Sequence, residues 1–91
     1  MLRIDVEPAG VERLVALHGW LSGEEVGVFE TSCAALALPV RIDLANLTGA
    51  DLPGLQALLR QSERGARITG ASPYIELLLQ GAAEIPGSRS E

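Results

Sequence analysis

The sequence contains no lysine. All seven of its basic residues are arginine, against twelve acidic residues, and the net charge is −5. Without lysine the chain cannot form a Schiff base or supply the ammonium group of a P-loop. A net negative charge is also the wrong sign for a surface that neutralises nucleic-acid phosphates. We therefore expect neither lysine-dependent catalysis nor a nucleic-acid partner.

Cysteine and long apolar runs are also scarce. The chain has one cysteine and one histidine, so it cannot form an internal disulfide or a thiolate metal cage, which is typical of a reducing compartment. Its apolar runs fall short of the roughly 20 residues that a bilayer span needs. The N-terminal residues alternate charged and apolar, unlike a secretory signal. We predict a cytoplasmic protein without membrane insertion, metal or cofactor.

The length limits the number of domains. Ninety-one residues, 47% of them hydrophobic, are enough for one compact core and too few for a second. We predict one domain over residues 1–84. Residues 85–91 combine proline, glycine and serine with charge and lack apolar periodicity, so we expect a flexible C-terminal tail.

Alternation of apolar and polar residues predicts the strands. It runs from Leu2 to Glu7, and after the turn residues Pro8-Ala9-Gly10 an apolar run from Val11 to His18 completes a β-hairpin. Val40–Leu44 alternates in the same way, and a short strand is predicted at 66–69. Alternation indicates a sheet with one buried face. We therefore expect the helices to lie mainly on one face of the sheet.

Cap residues predict three helices. Ser22 and Glu25 form a capping box, while Asp51 and Ser72 are N-caps that each precede a proline in the first helical turn. Cys33 lies on the apolar stripe of the first helix, so we expect its thiol in the core. The fold class is α/β, with the order β-β-α-β-α-β-α. Right-handed crossovers give a small mixed four-stranded sheet, with the first strand antiparallel and the others parallel.

Polar residues near the carboxyl ends of the strands are the candidates for chemistry. Asp43 and Asp51 could share a proton or hold a metal, or they could instead order a loop and cap a helix. His18 could act as a general base, but no nucleophile lies in a motif with it. Trp20 could anchor an interface or cover the core. Since no catalytic residue emerges, we predict that the chain is not an enzyme.

Three segments together share the spacing of one known family. Val40-Arg41-Ile42-Asp43-Leu44 is followed after eight residues by Asp51, and Gly54-Leu55 then opens a helix. Leu17–Leu21 matches a hydrophobic-x-Gly-x-Leu segment before a first helix, and Ile68–Pro73 matches a last strand and turn. In the spacing of these three segments the chain resembles the STAS domain family, which comprises anti-sigma factor antagonists and the cytoplasmic domains of sulfate transporters. The resemblance implies a protein partner in bacterial signal transduction and transcription regulation.

The chain departs from the family pattern at the regulated helix start. The family pattern there is Asp-Ser-Ser-Gly or Asp-Ser/Thr-x-Gly, and a partner kinase phosphorylates a hydroxyl. Here the turn is Asp51-Leu52-Pro53-Gly54, whose two central residues carry no hydroxyl. No phosphoacceptor exists at the family position, so phosphorylation there cannot release a partner. Thr48 and Ser22 are the hydroxyl residues near the same edge that could be alternative sites.

We therefore predict an interaction module that binds an anti-sigma factor or a serine-kinase-type regulator without the usual serine phosphoswitch. The alternatives are a constitutive STAS subunit of a lipid-transport ATPase complex and a domain that senses a nucleotide or lipid in the loops around Asp43 and Asp51. Leu52 is either a hydrophobic anchor or a residue free to drift. The partner's identity and the oligomeric state, including a homodimer, stay open. The candidate partner-binding residues are Asp51, Leu52, Pro53, Gly54, Trp20 and Asp43.

Overall fold

The computed structural model describes residues 2–84. In this range the chain follows the predicted order of elements, and no helix is long and apolar enough to cross a membrane. The tail predicted at 85–91 lies outside the described residues. The strands are β1 (Leu2–Ala9), β2 (Glu12–Leu21), β3 (Val40–Ala50) and β4 (Arg67–Thr69); the helices are α1 (Val26–Ala34), α2 (Leu52–Glu63) and α3 (Pro73–Ala83).

Within the described residues the strands form one mixed sheet in the order β1-β2-β3-β4. β1 pairs antiparallel with β2, while β2 with β3 and β3 with β4 are parallel. The hairpin between β1 and β2 turns at Gly10 and Val11, so the turn lies later than predicted, and Pro8 and Ala9 are strand residues of β1. Gly10 has φ +69° at the first central position of this two-residue turn, where a type II′ turn requires a positive φ. The predicted mixed four-stranded sheet is confirmed.

The hydrophobic core lies between one face of the sheet and the helices. Val15 and Leu17, which point inward from the middle of β2, are buried. Leu14, Ala16 and His18 alternate to the opposite face of β2 and are only half-buried. The helices therefore cover one face, as predicted from the alternation. The side chains that meet in this core include Val15, Leu17, Ile42, Leu44, Phe29, Cys33, Leu55, Leu58 and Ile75.

β3 is longer than its sequence pattern predicts. We expected a strand at Val40–Leu44 followed by a loop, but β3 continues to Ala50. Two register shifts against β2 insert extra residues into β3. The first bulge turns Leu47 inward, out of step with Leu44, and the second turns Ala50 inward again. Because each bulge breaks the period of two, alternation does not reveal the second half of the strand.

Carboxylate and hydroxyl caps position the helices. The Glu25 carboxylate accepts from the backbone N–H of Ser22 at 3.5 Å and from that of Leu2 at 2.9 Å, which ties the start of α1 to β1. A single 3-10 turn, Gly23–Glu25, precedes α1. The Ser72 hydroxyl accepts from Ile75 N–H at 3.2 Å and caps α3. The predicted helix starts are confirmed, apart from this short turn before α1.

The Cys33 thiol is expected to be unreactive in the folded protein. Cys33 is 2% exposed, and burial raises the pKa of its thiol to about 11. The reactive thiolate is therefore rare at neutral pH, and we expect a thiol reagent to label the native protein about 100-fold more slowly than the urea-unfolded protein. Labelling rates followed by intact mass would measure this, and rapid stoichiometric labelling of the native protein would contradict the buried position.

Candidate functional site

Asp51 fastens the start of α2 to the end of β2. One carboxylate oxygen, Oδ1, accepts from the backbone N–H of Gly54 at 2.9 Å, and the other, Oδ2, accepts from that of Gly23 at 2.7 Å. The Asp51 N–H in turn donates to the Leu21 carbonyl at 3.2 Å. The predicted N-cap is confirmed. The same side chain also holds the turn that follows β2, because its second oxygen is bonded there.

Gly54 is required by close packing. It is buried, and a Cβ at this position would overlap the carbonyl oxygen of Leu21 and lie 3.0 Å from the Leu21 Cγ. The backbone of α2 therefore approaches the end of β2 more closely than any side chain permits. Together Asp51 and Gly54 make this helix start rigid.

Leu52 and Pro53 form the exposed part of the turn. Leu52 is 40% exposed, and Pro53 is also exposed. A proline fits the first turn of a helix because the N–H it lacks would have no partner within the helix. Pro53 lies beside Gly23, where an added Cβ would be 3.4 Å from the proline Cβ. The turn thus presents two rigidly held apolar side chains to solvent.

Trp20 lies on β2 and not beyond it, because β2 runs to Leu21. The hairpin strand predicted to end at His18 therefore continues for three more residues. The indole covers the backbone of Gly49, its neighbour on β3, so closely that a Cβ at Gly49 would overlap the ring. Trp20 nevertheless remains 42% exposed. It alternates to the face of the sheet opposite the helices, at the same end of the sheet as the Asp51 turn.

Asp43 is remote from Asp51, and the prediction that the two lie at one edge is wrong. β3 continues for seven residues beyond Asp43, so the two carboxylates are separated by roughly 20 Å of strand. Asp43 Oδ1 accepts from Ala45 N–H at 3.0 Å inside the first bulge, and it packs against Gly70, whose φ is +74°. Asp43 therefore orders the backbone. Among residues 2–84 no group of acidic, histidine and cysteine side chains is suited to a metal.

His18 lies beside a surface ion pair between Arg3 and Asp5. Its Nε2 lies 3.1 Å from Asp5 Oδ2, and Arg3 contacts the same carboxylate at 3.1 Å. The hydrogen bond from Arg3 is the main cause that lowers the pKa of the Asp5 carboxyl. No serine or cysteine in the described part of the chain bonds to His18. This arrangement follows from the hairpin register, which places Arg3 opposite His18, and the sequence analysis missed it.

The two alternative hydroxyl groups already make local hydrogen bonds. The Thr48 hydroxyl donates to the Gly19 carbonyl at 2.8 Å, and the Ser22 hydroxyl donates to Glu25 Oε1 at 3.1 Å. Thr48 is exposed and lies at the second bulge of β3. Both hydroxyls therefore help to hold the backbone around the turn.

No protein-family model and no curated protein sequence matches the chain. Solved structures do match it. An antisigma-factor antagonist STAS domain from Rhodobacter sphaeroides is 26% identical, with a TM-score of 0.57, over 76% of this chain and 86% of that one. The anti-sigma factor antagonist SpoIIAA in its unphosphorylated form is 14% identical, with a TM-score of 0.66, over 86% of this chain and 82% of that one. Each match covers most of both chains.

Proposed function

We propose that this chain, which has the STAS fold of the anti-sigma factor antagonists, is a protein-interaction module that binds an anti-sigma factor or a related serine-kinase-type regulator. The observation that carries the proposal is the rigid start of α2, where Leu52 and Pro53 are exposed on a backbone held by Asp51. A surface that is already ordered loses little conformational entropy when a partner binds. Exposed apolar side chains on such a surface are suitable hot spots.

The residues of the turn divide into two roles in this proposal. Asp51 and Gly54 are structural, since the Asp51 carboxylate is occupied by two backbone N–H groups and Gly54 is buried. Leu52 and Pro53 make the contact. We include Trp20 as a further contact residue, because it is exposed at the same end of the sheet.

The proposed interaction has no phosphate-driven release at the turn. Leu52 and Pro53 offer no hydroxyl to a kinase, and the nearby hydroxyls of Thr48 and Ser22 are engaged in hydrogen bonds. The binding equilibrium is then set by the concentrations of the two proteins. This would make the module a constant ligand of its partner.

The sensing alternative loses its basis in the geometry. It depended on Asp43 and Asp51 lying in one set of loops, but Asp43 is in the middle of β3 and bonds to Ala45. A constitutive ATPase-complex subunit would use the same kind of exposed surface, and the choice of partner in a binding experiment separates it from an anti-sigma factor ligand.

The experiment is a calorimetric titration of the purified chain against each serine-kinase-type anti-sigma factor encoded in its own genome, with the transporter ATPase subunits as a second panel. We expect saturable binding to one of the anti-sigma factors. Binding to an ATPase subunit alone would support the alternative, and an absence of binding to both panels would contradict the interaction module itself.

Leu52→Asp is expected to weaken partner binding at least about tenfold, because it puts a charge in the centre of an apolar contact. The variant should fold normally, since Leu52 is 40% exposed. Leu77→Asp on α3 is the matched control, since Leu77 is 66% exposed and lies outside the turn. Titration of both variants, with circular dichroism to check folding, measures the effect. Equal affinities for the two variants would remove Leu52 from the interface.

A further inference from the structure

β1 is a long free edge of the sheet. It spans eight residues, and among residues 2–84 no strand pairs with its outer side. The opposite edge, β4, has only three residues and begins with Arg67, which is a usual way of blocking further pairing. Of the two edges, β1 is the one that can accept another strand.

The hairpin determines which backbone groups of β1 face outward. Ala9 and Glu12 flank the two-residue turn, and this flanking pair exchanges backbone hydrogen bonds. Counting back from Ala9, every second residue of β1 is hydrogen-bonded to β2 in this way. The residues that alternate with these point their N–H and C=O groups away from β2. The residues that face outward are Leu2, Ile4, Val6 and Pro8.

Two observations agree with this assignment. Pro8 has no N–H, and an outward position is where a strand tolerates that loss. The Leu2 N–H is bonded to the Glu25 carboxylate at 2.9 Å and not to β2. The outward groups left without a described partner are therefore the N–H and C=O of Ile4 and Val6 and the C=O of Leu2 and Pro8.

The same edge exposes apolar surface on the helix-covered side of the sheet. Val6 is 45% exposed, and Leu2 and Ile4 are only half-buried, although all three point toward the core side. A further strand at this edge would cover these side chains. Since they are apolar on one face and charged on the other, the strand that fits must carry the same pattern.

We propose that β1 pairs antiparallel with β1 of a second copy of this chain, about a two-fold axis at Ile4. In this register Ile4 faces Ile4 of the second copy, and Leu2 faces Val6. The Ile4 amide and carbonyl exchange hydrogen bonds with their counterparts, and the Val6 N–H donates to the Leu2 carbonyl. The Glu25 carboxylate, which accepts from the Leu2 N–H at 2.9 Å, must turn aside so that the Val6 carbonyl of the second copy can replace it. The two sheets become one continuous sheet across an isologous interface.

Charge complementarity selects this register. It places Arg3 opposite Asp5 of the second copy twice, once on each side of the axis, and such opposite charges stabilise a strand pair. A shift by two residues pairs Arg3 with Glu7 but sets Asp5 against Asp5, and a further shift sets Asp5 against Glu7 twice. Both shifts also bring Pro8, which has no N–H, opposite a residue that needs a hydrogen-bond partner. The register centred on Ile4 avoids all of these conflicts.

This homodimer goes beyond the proposed function and does not depend on it. The interface uses neither Leu52 nor Pro53, so binding of a regulator and self-association can fail separately. A single strand pair buries little area, and we therefore expect a reversible dimer with a dissociation constant in the micromolar to millimolar range.

A charge-swap series measured by sedimentation equilibrium tests the register. Arg3→Asp and Asp5→Arg each place like charges opposite one another at two symmetric positions, and each should weaken the dimer about tenfold or more. The double variant restores opposite charges and should return to within about threefold of the wild type. Both residues are on the solvent side, so folding should survive. A wild-type chain that remains monomeric at millimolar concentration, or a double variant as weak as the single ones, would overturn the proposal.

A disulfide experiment tests the axis independently. Residues paired as Ile4 with Ile4 have Cα atoms about 5.5 Å apart, a distance that a disulfide spans. Ile4→Cys should therefore cross-link under mild oxidation, while the buried Cys33 stays reduced. Val6→Cys is the matched control, because the two copies of that residue would be roughly 13 Å apart. Cross-linking of Val6→Cys in place of Ile4→Cys would refute this register, and binding of a foreign extended peptide to β1 without self-association would identify a different occupant.

Discussion

Gly54→Ala is expected to lower the free energy of unfolding by about 2–3 kcal/mol, although alanine is the better helix former. The added Cβ would overlap the Leu21 carbonyl oxygen. That carbonyl cannot move away easily because it accepts the Asp51 N–H at 3.2 Å. The helix start must therefore separate from β2, or the turn must distort. Urea unfolding followed by circular dichroism measures the loss.

Gly81→Ala is the matched control for this prediction. Gly81 lies within α3, and a Cβ there meets no atom within 4 Å. We expect this variant to gain about 0.5–1 kcal/mol from helix propensity and from a less flexible unfolded chain. If Gly54→Ala were also stabilising, the close approach of α2 to Leu21 would be wrong.

Asp51→Ala is expected to cost about 2–3 kcal/mol. Loss of an N-cap typically costs about 1 kcal/mol, and here the Gly23 N–H loses its acceptor as well. Hydrogen exchange should accelerate at the amides of Gly23 and Gly54 together, since one carboxylate holds both. Urea unfolding gives the total cost.

Ser72→Ala provides the comparison for Asp51→Ala. The Ser72 hydroxyl caps α3 by a hydrogen bond to Ile75 N–H alone, so its loss should cost about 1 kcal/mol. An Asp51→Ala variant no more costly than Ser72→Ala would show that the bond to Gly23 contributes nothing, and that Asp51 is an ordinary cap.

The order of the elements could be predicted because local signals agree with the fold. Asp51 and Ser72 mark helix starts by the same hydrogen bonds that the structure contains. The alternation in the first strands correctly indicated one buried face. Gly10, which has a positive φ, lies in the hairpin turn as predicted, whereas Pro8 and Ala9, also predicted as turn residues, belong to β1. Such signals depend on neighbouring residues in the chain, so the sequence alone carries them.

The placement of the candidate residues could be predicted only in part. The two bulges in β3 interrupt the alternation of buried and exposed residues after Leu44. The sequence therefore predicts a loop there and wrongly puts Asp43 at the same edge of the sheet as Asp51. Trp20 packs on the sheet against Gly49, and no local sequence pattern predicts this contact. The exposure of Leu52 agrees with the position that the family resemblance implied.

The tie between Asp51 and Gly23 also escaped the sequence analysis. The two residues are 28 positions apart in the sequence. An aspartate at an N-cap position does not by itself indicate that its second carboxylate oxygen accepts a hydrogen bond from a distant backbone N–H. The free outer edge of β1 follows from the topology of the whole sheet. Long-range pairings of this kind must be observed in the fold.

We propose that the turn binds a partner without a phosphoswitch. To test this, the affinity of the chain for its serine-kinase-type partner is titrated before and after incubation of the two proteins with magnesium and ATP. The double variant Leu52→Ser with Pro53→Ser, which restores hydroxyls at the helix start, is the matched control for a kinase that is active. We predict that the wild type keeps the same affinity and gains no phosphate, while the control gains phosphate and is released. Phosphorylation of the wild-type chain with loss of binding would contradict a turn that lacks a phosphoswitch.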